Sequence, residues 1–123
     1  MKTVYTNKAP SAIGPYSQAI IAGNFIFTSG QIPVNPATGI IESNTIEGQT
    51  KRVCDNIVAL LTAAGTSIDK VVKTTCYLSD MNDFSTFNEV YEKYFISKPA
   101  RSCVAVKEIP KGALVEIETI CEL

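Results

Sequence analysis

Along this chain, apolar positions first alternate, then recur at helical spacing, then alternate again. The changes of period mark its elements. Residues 19–30, AIIAGNFIFTSG, hold two short apolar runs around Gly23-Asn24. That pair is a two-residue hairpin signal and predicts two strands. Two prolines, an asparagine and a glycine make PVNPATG, residues 33–39, a loop. Val53, Ile57, Leu60, Leu61 and Ala64 then recur at helical spacing. Asn44 is the predicted cap of that helix, with Glu47 in capping-box position and Gly65 as its stop. VVKTTCYL, residues 71–78, is rich in β-branched residues and predicts a central strand. Phe84, Phe87, Val90, Tyr91, Tyr94 and Phe95 share one face of a second helix, capped by Asp80 or Asn82. The tight loop ISKP leads to two final strands, near 102–107 and 114–122, parted by a turn at Pro110-Lys111-Gly112.

The order ββ, α, β, α, ββ predicts an α+β fold, a sheet with both helices on one face. In the last strand Val115, Ile117, Thr119 and Cys121 point under the helices. Leu114, Glu116, Glu118 and Ile120 point the other way, and that mixed face is a candidate subunit interface.

Length and charge narrow the function. The 123 residues predict a single domain over 1–123. Eleven basic against twelve acidic residues leave a net charge of −1 and no basic block, so a nucleic-acid footprint is not expected. MKTVYTNKAP has no apolar core of a signal peptide, and no apolar run reaches a membrane span. The expectation is a cytoplasmic protein with no membrane partner. Cys54, Cys76, Cys103 and Cys121 are widely spaced and there is no histidine. A zinc-finger or haem-attachment pattern is therefore not expected, and the thiols are read as reduced and buried.

Without histidine, acid–base work falls to Glu, Asp, Lys, Tyr, Cys or Arg. No phosphate-binding or serine-hydrolase motif is present. In PARSCV, residues 99–104, Arg101 follows Pro99 and enters a strand. A rigid guanidinium there grips a carboxylate bidentately; the bland alternative is an ion pair at a helix end. In LVEIE, residues 114–118, Glu116 lies on the polar side. A cation on one strand and a carboxylate on its neighbour would hold a small anion and a water together. Cys103 shares Arg101's strand face, but with no histidine to activate it a packing role is expected. Tyr16 follows the Gly14-Pro15 turn in AIGPYSQA and can present its phenol to a cleft. Gly30, after Ser29, permits close approach of a ligand to the backbone.

The segments AIGPYSQA, TSGQIPVNP, NDFSTFNEVYEKYF, PARSCV and LVEIE occur in this order. Together they resemble the RidA family, also called the YjgF or 2-iminobutanoate/2-iminopropanoate deaminase family, over essentially the whole chain. The resemblance implies chorismate-mutase-like subunits in a homotrimer, with sheets lining a central barrel and active sites between subunits. It implies hydrolysis of short 2-imino acids and their enamines to 2-oxo acids and ammonia, with no metal and no organic cofactor. By motif, Arg101 would bind the substrate carboxylate and Glu116 would position or activate water. The Cys103 position would act mainly through its backbone, and Tyr16, Ser29, Gly30 and Asn88 would line the cleft. Two departures stand out: the link from Phe95 to Pro99 is shorter than in many relatives, and Ala105 stands where many carry glutamate. The rival readings are a non-catalytic trimer that binds 2-oxo carboxylates or a protein, and an RNA-directed activity.

Overall fold

The computed structural model describes residues 1–123. Its strands are β1 (Lys2–Val4), β2 (Ala19–Ala22), β3 (Phe25–Thr28), β4 (Val71–Leu78), β5 (Ala100–Ala105) and β6 (Val115–Glu122). Its helices are α1 (Ile46–Ala63) and α2 (Phe84–Tyr94). The strands form one mixed sheet in the order β1-β2-β3-β6-β4-β5. Every pairing is antiparallel except β4 with β5, which α2 connects as a crossover. Both helices pack on one sheet face, so the expected α+β fold is present.

The local signals explain most elements. The Gly23-Asn24 turn joins β2 to β3 with Ala22 opposite Phe25, and Gly23 takes a φ of 59° that suits glycine. Gly65, at φ 89°, ends α1. Val53, Ile57, Leu60 and Leu61 of α1 pack with Phe87, Tyr91 and Phe95 over Val115, Ile117 and Cys121 of β6, within a core of 19 buried residues. The opposite sheet face is open. Phe25 and Phe27 are exposed on it, and Phe27 pairs with Ile120.

Several details differ from the sequence expectations. Strand β1, three residues long, carries too few alternations to be read. The cap of α1 is Thr45 rather than Asn44; its Oγ1 accepts from Gly48 N at 3.1 Å. Asp80 caps the short 3-10 turn 81–83 that leads into α2, with Oδ1 accepting from Asn82 N at 2.9 Å. Strand β5 begins at Ala100, because parallel pairing with β4 takes in Ala100 and Arg101. Strand β4 is interior but next to the edge, since β5 closes the sheet. No helix is long and apolar enough to cross a membrane.

Candidate active site

Arg101 lies opposite Thr74 of β4. Thr74 is buried under α2 and the strands run parallel, so Arg101 projects to the helix-covered side of the edge strand. Its guanidinium carbon sits 4.9 Å from the ring centre of Tyr91 and 5.4 Å from that of Phe84. Nη1 donates to Asn88 Oδ1 at 2.7 Å. Phe84, Asn88 and Tyr91 are four and three residues apart, one stripe of α2. The Tyr91 hydroxyl shares a 2.7 Å hydrogen bond with Thr74 Oγ1, which fixes the ring. The one salt bridge in the structure joins Lys51 and Asp55, so the helix-end ion pair considered for Arg101 is not formed. Most of its N–H fork stays open to solvent. Cys103, half-buried, follows on the same face opposite Cys76.

Glu116 belongs to the other side. It pairs with Tyr77 on the open face, between buried Val115 and Ile117. Burial first, and then the Glu118 charge, push its carboxyl pKa up. A Cβ on Gly30 would stand 2.8 Å from Glu116 Cδ, so glycine is what lets this side chain lie against the backbone. Gln31 and Ile117 exchange two backbone hydrogen bonds, at 2.8 and 3.1 Å, and lock this contact. Tyr16, Ser29 and Gly30 line a cavity of about 440 Å³. The Ser29 hydroxyl donates to Ser17 O at 2.6 Å, and the Tyr16 hydroxyl accepts from Ile13 N at 3.3 Å.

The structure therefore divides the expected residues into two groups. Asn88, Arg101 and Cys103 gather under α2 at the sheet edge; Tyr16, Ser29, Gly30 and Glu116 gather on the other side of the sheet. Arg101 and Glu116 do not sit on neighbouring strands, because β4 lies between β5 and β6. They also project from opposite faces. Within one subunit they cannot hold one small anion and its water. The side chain's face follows from its own strand, whereas strand order depends on distant pairing.

Several supporting residues escaped the sequence reading. Phe84 and Tyr91 belong by spacing to the helix's apolar face, which hides their use as a platform for Arg101. Buried Gln18 accepts from Thr6 N at 2.8 Å and donates to Pro10 O at 2.8 Å, holding the segment that forms one cavity wall. Buried Asn56 donates to Val34 O at 3.0 Å and fixes the opposite loop to α1. A lone polar residue gives no local signal of such a role. No group of three His, Cys, Asp or Glu side chains is placed to hold a metal ion.

The sequence profile of the family described as Endoribonuclease L-PSP matches residues 6–123. A RutC family protein of Pyrococcus abyssi is 56% identical over 120 residues, covering 97% of this chain and 94% of its own. The 2-iminobutanoate/2-iminopropanoate deaminase of Escherichia coli K12 is 47% identical over 123 residues, covering 97% of this chain and 95% of its own. The crystal structure of E. coli TdcF with bound serine superposes with a TM-score of 0.95 at 42% identity, over 100% of this chain and 99% of that one. Relatives thus include proteins named as imine deaminases and proteins named only by family. The chain belongs to the Endoribonuclease L-PSP family, which is the RidA or YjgF family that its motifs resemble.

Proposed function

We propose that this protein hydrolyses short 2-imino acids, such as 2-iminobutanoate and 2-iminopropanoate, to 2-oxo acids and ammonia. The observation that carries the reading is Arg101: a guanidinium held on two aromatic rings and an amide, with no carboxylate of its own. Such a fork is preorganised for a substrate carboxylate. The deaminase name of the E. coli relative and the serine bound to TdcF support the same class of ligand.

The separation of Arg101 from Glu116 supports catalysis between subunits. In a homotrimer packed through the open sheet faces, Phe25, Phe27 and Ile120 would be covered. The Arg101 edge of one subunit would then meet the Glu116 and Gly30 side of the next. Arg101 neutralises and orients the carboxylate. Glu116 takes a proton from water as the oxygen adds to the imine carbon, and ammonia leaves as the C=O forms. A protonated imine is already electrophilic, so these residues need supply only position and a base. Four free thiols fit a reducing cytoplasm, where clearance of reactive enamines is the role we assign.

The test couples threonine dehydratase and threonine to this protein, with semicarbazide competing for the imine. Less semicarbazone with wild type, and none of that effect with folded Arg101→Ala, is expected. Near-wild-type protection by Arg101→Ala would sink the reading. A non-catalytic module is the second reading, favoured by the serine held in TdcF. Saturable 2-oxobutanoate binding without faster imine decay would establish it. The family description names an endoribonuclease, but a net charge of −1 and the lack of histidine weigh against RNA as this chain's substrate.

A further inference from the structure

We propose that Cys103 and Cys76 form a peroxide-sensitive dithiol, which a hydroperoxide converts to a disulfide joining β5 to β4. The two are direct partners in the parallel register, with Thr75↔Ser102 before them and Tyr77↔Val104 after. Paired residues on adjacent strands lie about 4.8 Å apart. That falls within the span of about 4.4–6.8 Å that disulfides bridge. Both side chains point to the helix-covered face, as burial of Thr74, Cys76 and Leu78 requires.

The pair is asymmetric in the way such chemistry needs. Cys76 is fully buried, whereas Cys103 is half-buried on the edge strand β5, two residues from Arg101 and the cleft proposed for small substrates. The Cys76 thiol donates to Thr74 Oγ1 at 3.7 Å, and the interaction between the two neighbouring thiols pulls the Cys103 pKa down and pushes that of Cys76 up; Arg101 further favours the Cys103 thiolate. The other two cysteines lack such a neighbour. Cys121 pairs with Val71 and donates to Ser67 O at 3.4 Å, and Cys54 is enclosed in α1.

The steps balance. Cys103 thiolate attacks one peroxide oxygen, giving a sulfenic acid as hydroxide, or the corresponding alkoxide, departs. The Cys76 thiol then displaces the sulfenic hydroxyl, forming the S–S bond and releasing water. Overall, two thiols are oxidised and one peroxide O–O bond is reduced.

The experiment treats the full chain with hydrogen peroxide at pH 8. Remaining thiols are counted in denaturant, and tryptic peptides are mapped by mass spectrometry. The wild type is expected to lose two of its four thiols. A single Cys76–Cys103 cross-link and full recovery with dithiothreitol are also expected. Cys76→Ser should leave a dimedone-trappable Cys103, and Cys103→Ser should slow thiol loss at least about tenfold. Four surviving thiols, a different linkage, or Cys103 sulfinic acid beside an intact Cys76 thiol would each overturn the proposal. Should Cys76→Ser fail to fold, the wild-type map and Cys103→Ser decide it. None of these readouts depends on deaminase activity.

Discussion

The guanidinium carbon of Arg101 lies 4.9 Å over the ring of Tyr91, and the Tyr91 hydroxyl is tied to Thr74 at 2.7 Å. A strand residue thus holds the helix residue that holds the arginine. The ring and the hydroxyl do separable work. A cation–π contact of about 0.5–2 kcal/mol corresponds to roughly a 2–30-fold effect on affinity. Tyr91→Leu should raise KM within that range. Tyr91→Phe keeps the ring and should leave KM within about twofold. It strips a partner from buried Thr74 and should lower stability by about 1–2 kcal/mol. Steady-state kinetics and denaturant unfolding of both variants check this.

Opposite placement of Arg101 and Glu116 makes a prediction about mixtures. In the proposed homotrimer, the Arg101→Ala and Glu116→Gln variants should each be inactive. Unfolding and refolding them together randomises the subunits. About a quarter of intersubunit clefts then pair a native Arg101 with a native Glu116. Roughly a quarter of wild-type activity should return. No recovery from well-folded mixed trimers would show that both residues serve within one chain.

Gly30 and Glu116 are in contact, and the contact is with a side chain rather than rigid backbone. Gly30 is not at positive φ, so alanine fits its backbone. Gly30→Ala should move the carboxylate while leaving the melting temperature nearly unchanged. A catalytic group displaced by about 1 Å costs on the order of 100-fold in rate. The loss should fall on kcat, with KM preserved, because Arg101 is untouched.

Burial, and then Glu118, raise the Glu116 pKa. In the proposed mechanism its working form as base is the carboxylate, so kcat should fall as pH drops through that raised value. Glu118→Gln removes the repulsive part and should move the acid limb to lower pH. The stability sign is the reverse. A carboxyl with a raised folded pKa favours folding most when protonated, and that contribution is lost as pH rises through the folded value. Glu116→Gln should therefore raise the melting temperature at pH 7, by on the order of a few °C, while abolishing turnover. Thermal unfolding at pH 5 and pH 7 checks it, with a smaller gain expected at pH 5.

Short-range periodicity by itself determined the hairpin at Gly23-Asn24, both helices, and which residues of β6 face the core. It also singled out Arg101 and Glu116 as charged residues on ordered strands. These features are legible because alternation and the 3.6-residue repeat act over a few neighbours. The cap at Thr45 was misplaced by one residue, since Asn44 and Thr45 are both competent caps and only the backbone angles choose.

Tertiary structure alone decided the order β3-β6-β4-β5. It set the parallel return of β5 beside β4, and with it Cys103 against Cys76 and Arg101 on the Tyr91 platform. It placed β4 between the two charged strands, so that Arg101 and Glu116 are not on neighbouring strands. Each of these relationships joins residues far apart in the chain. Their pairing reflects which strands bury the most apolar surface together, and no local window of sequence contains that competition.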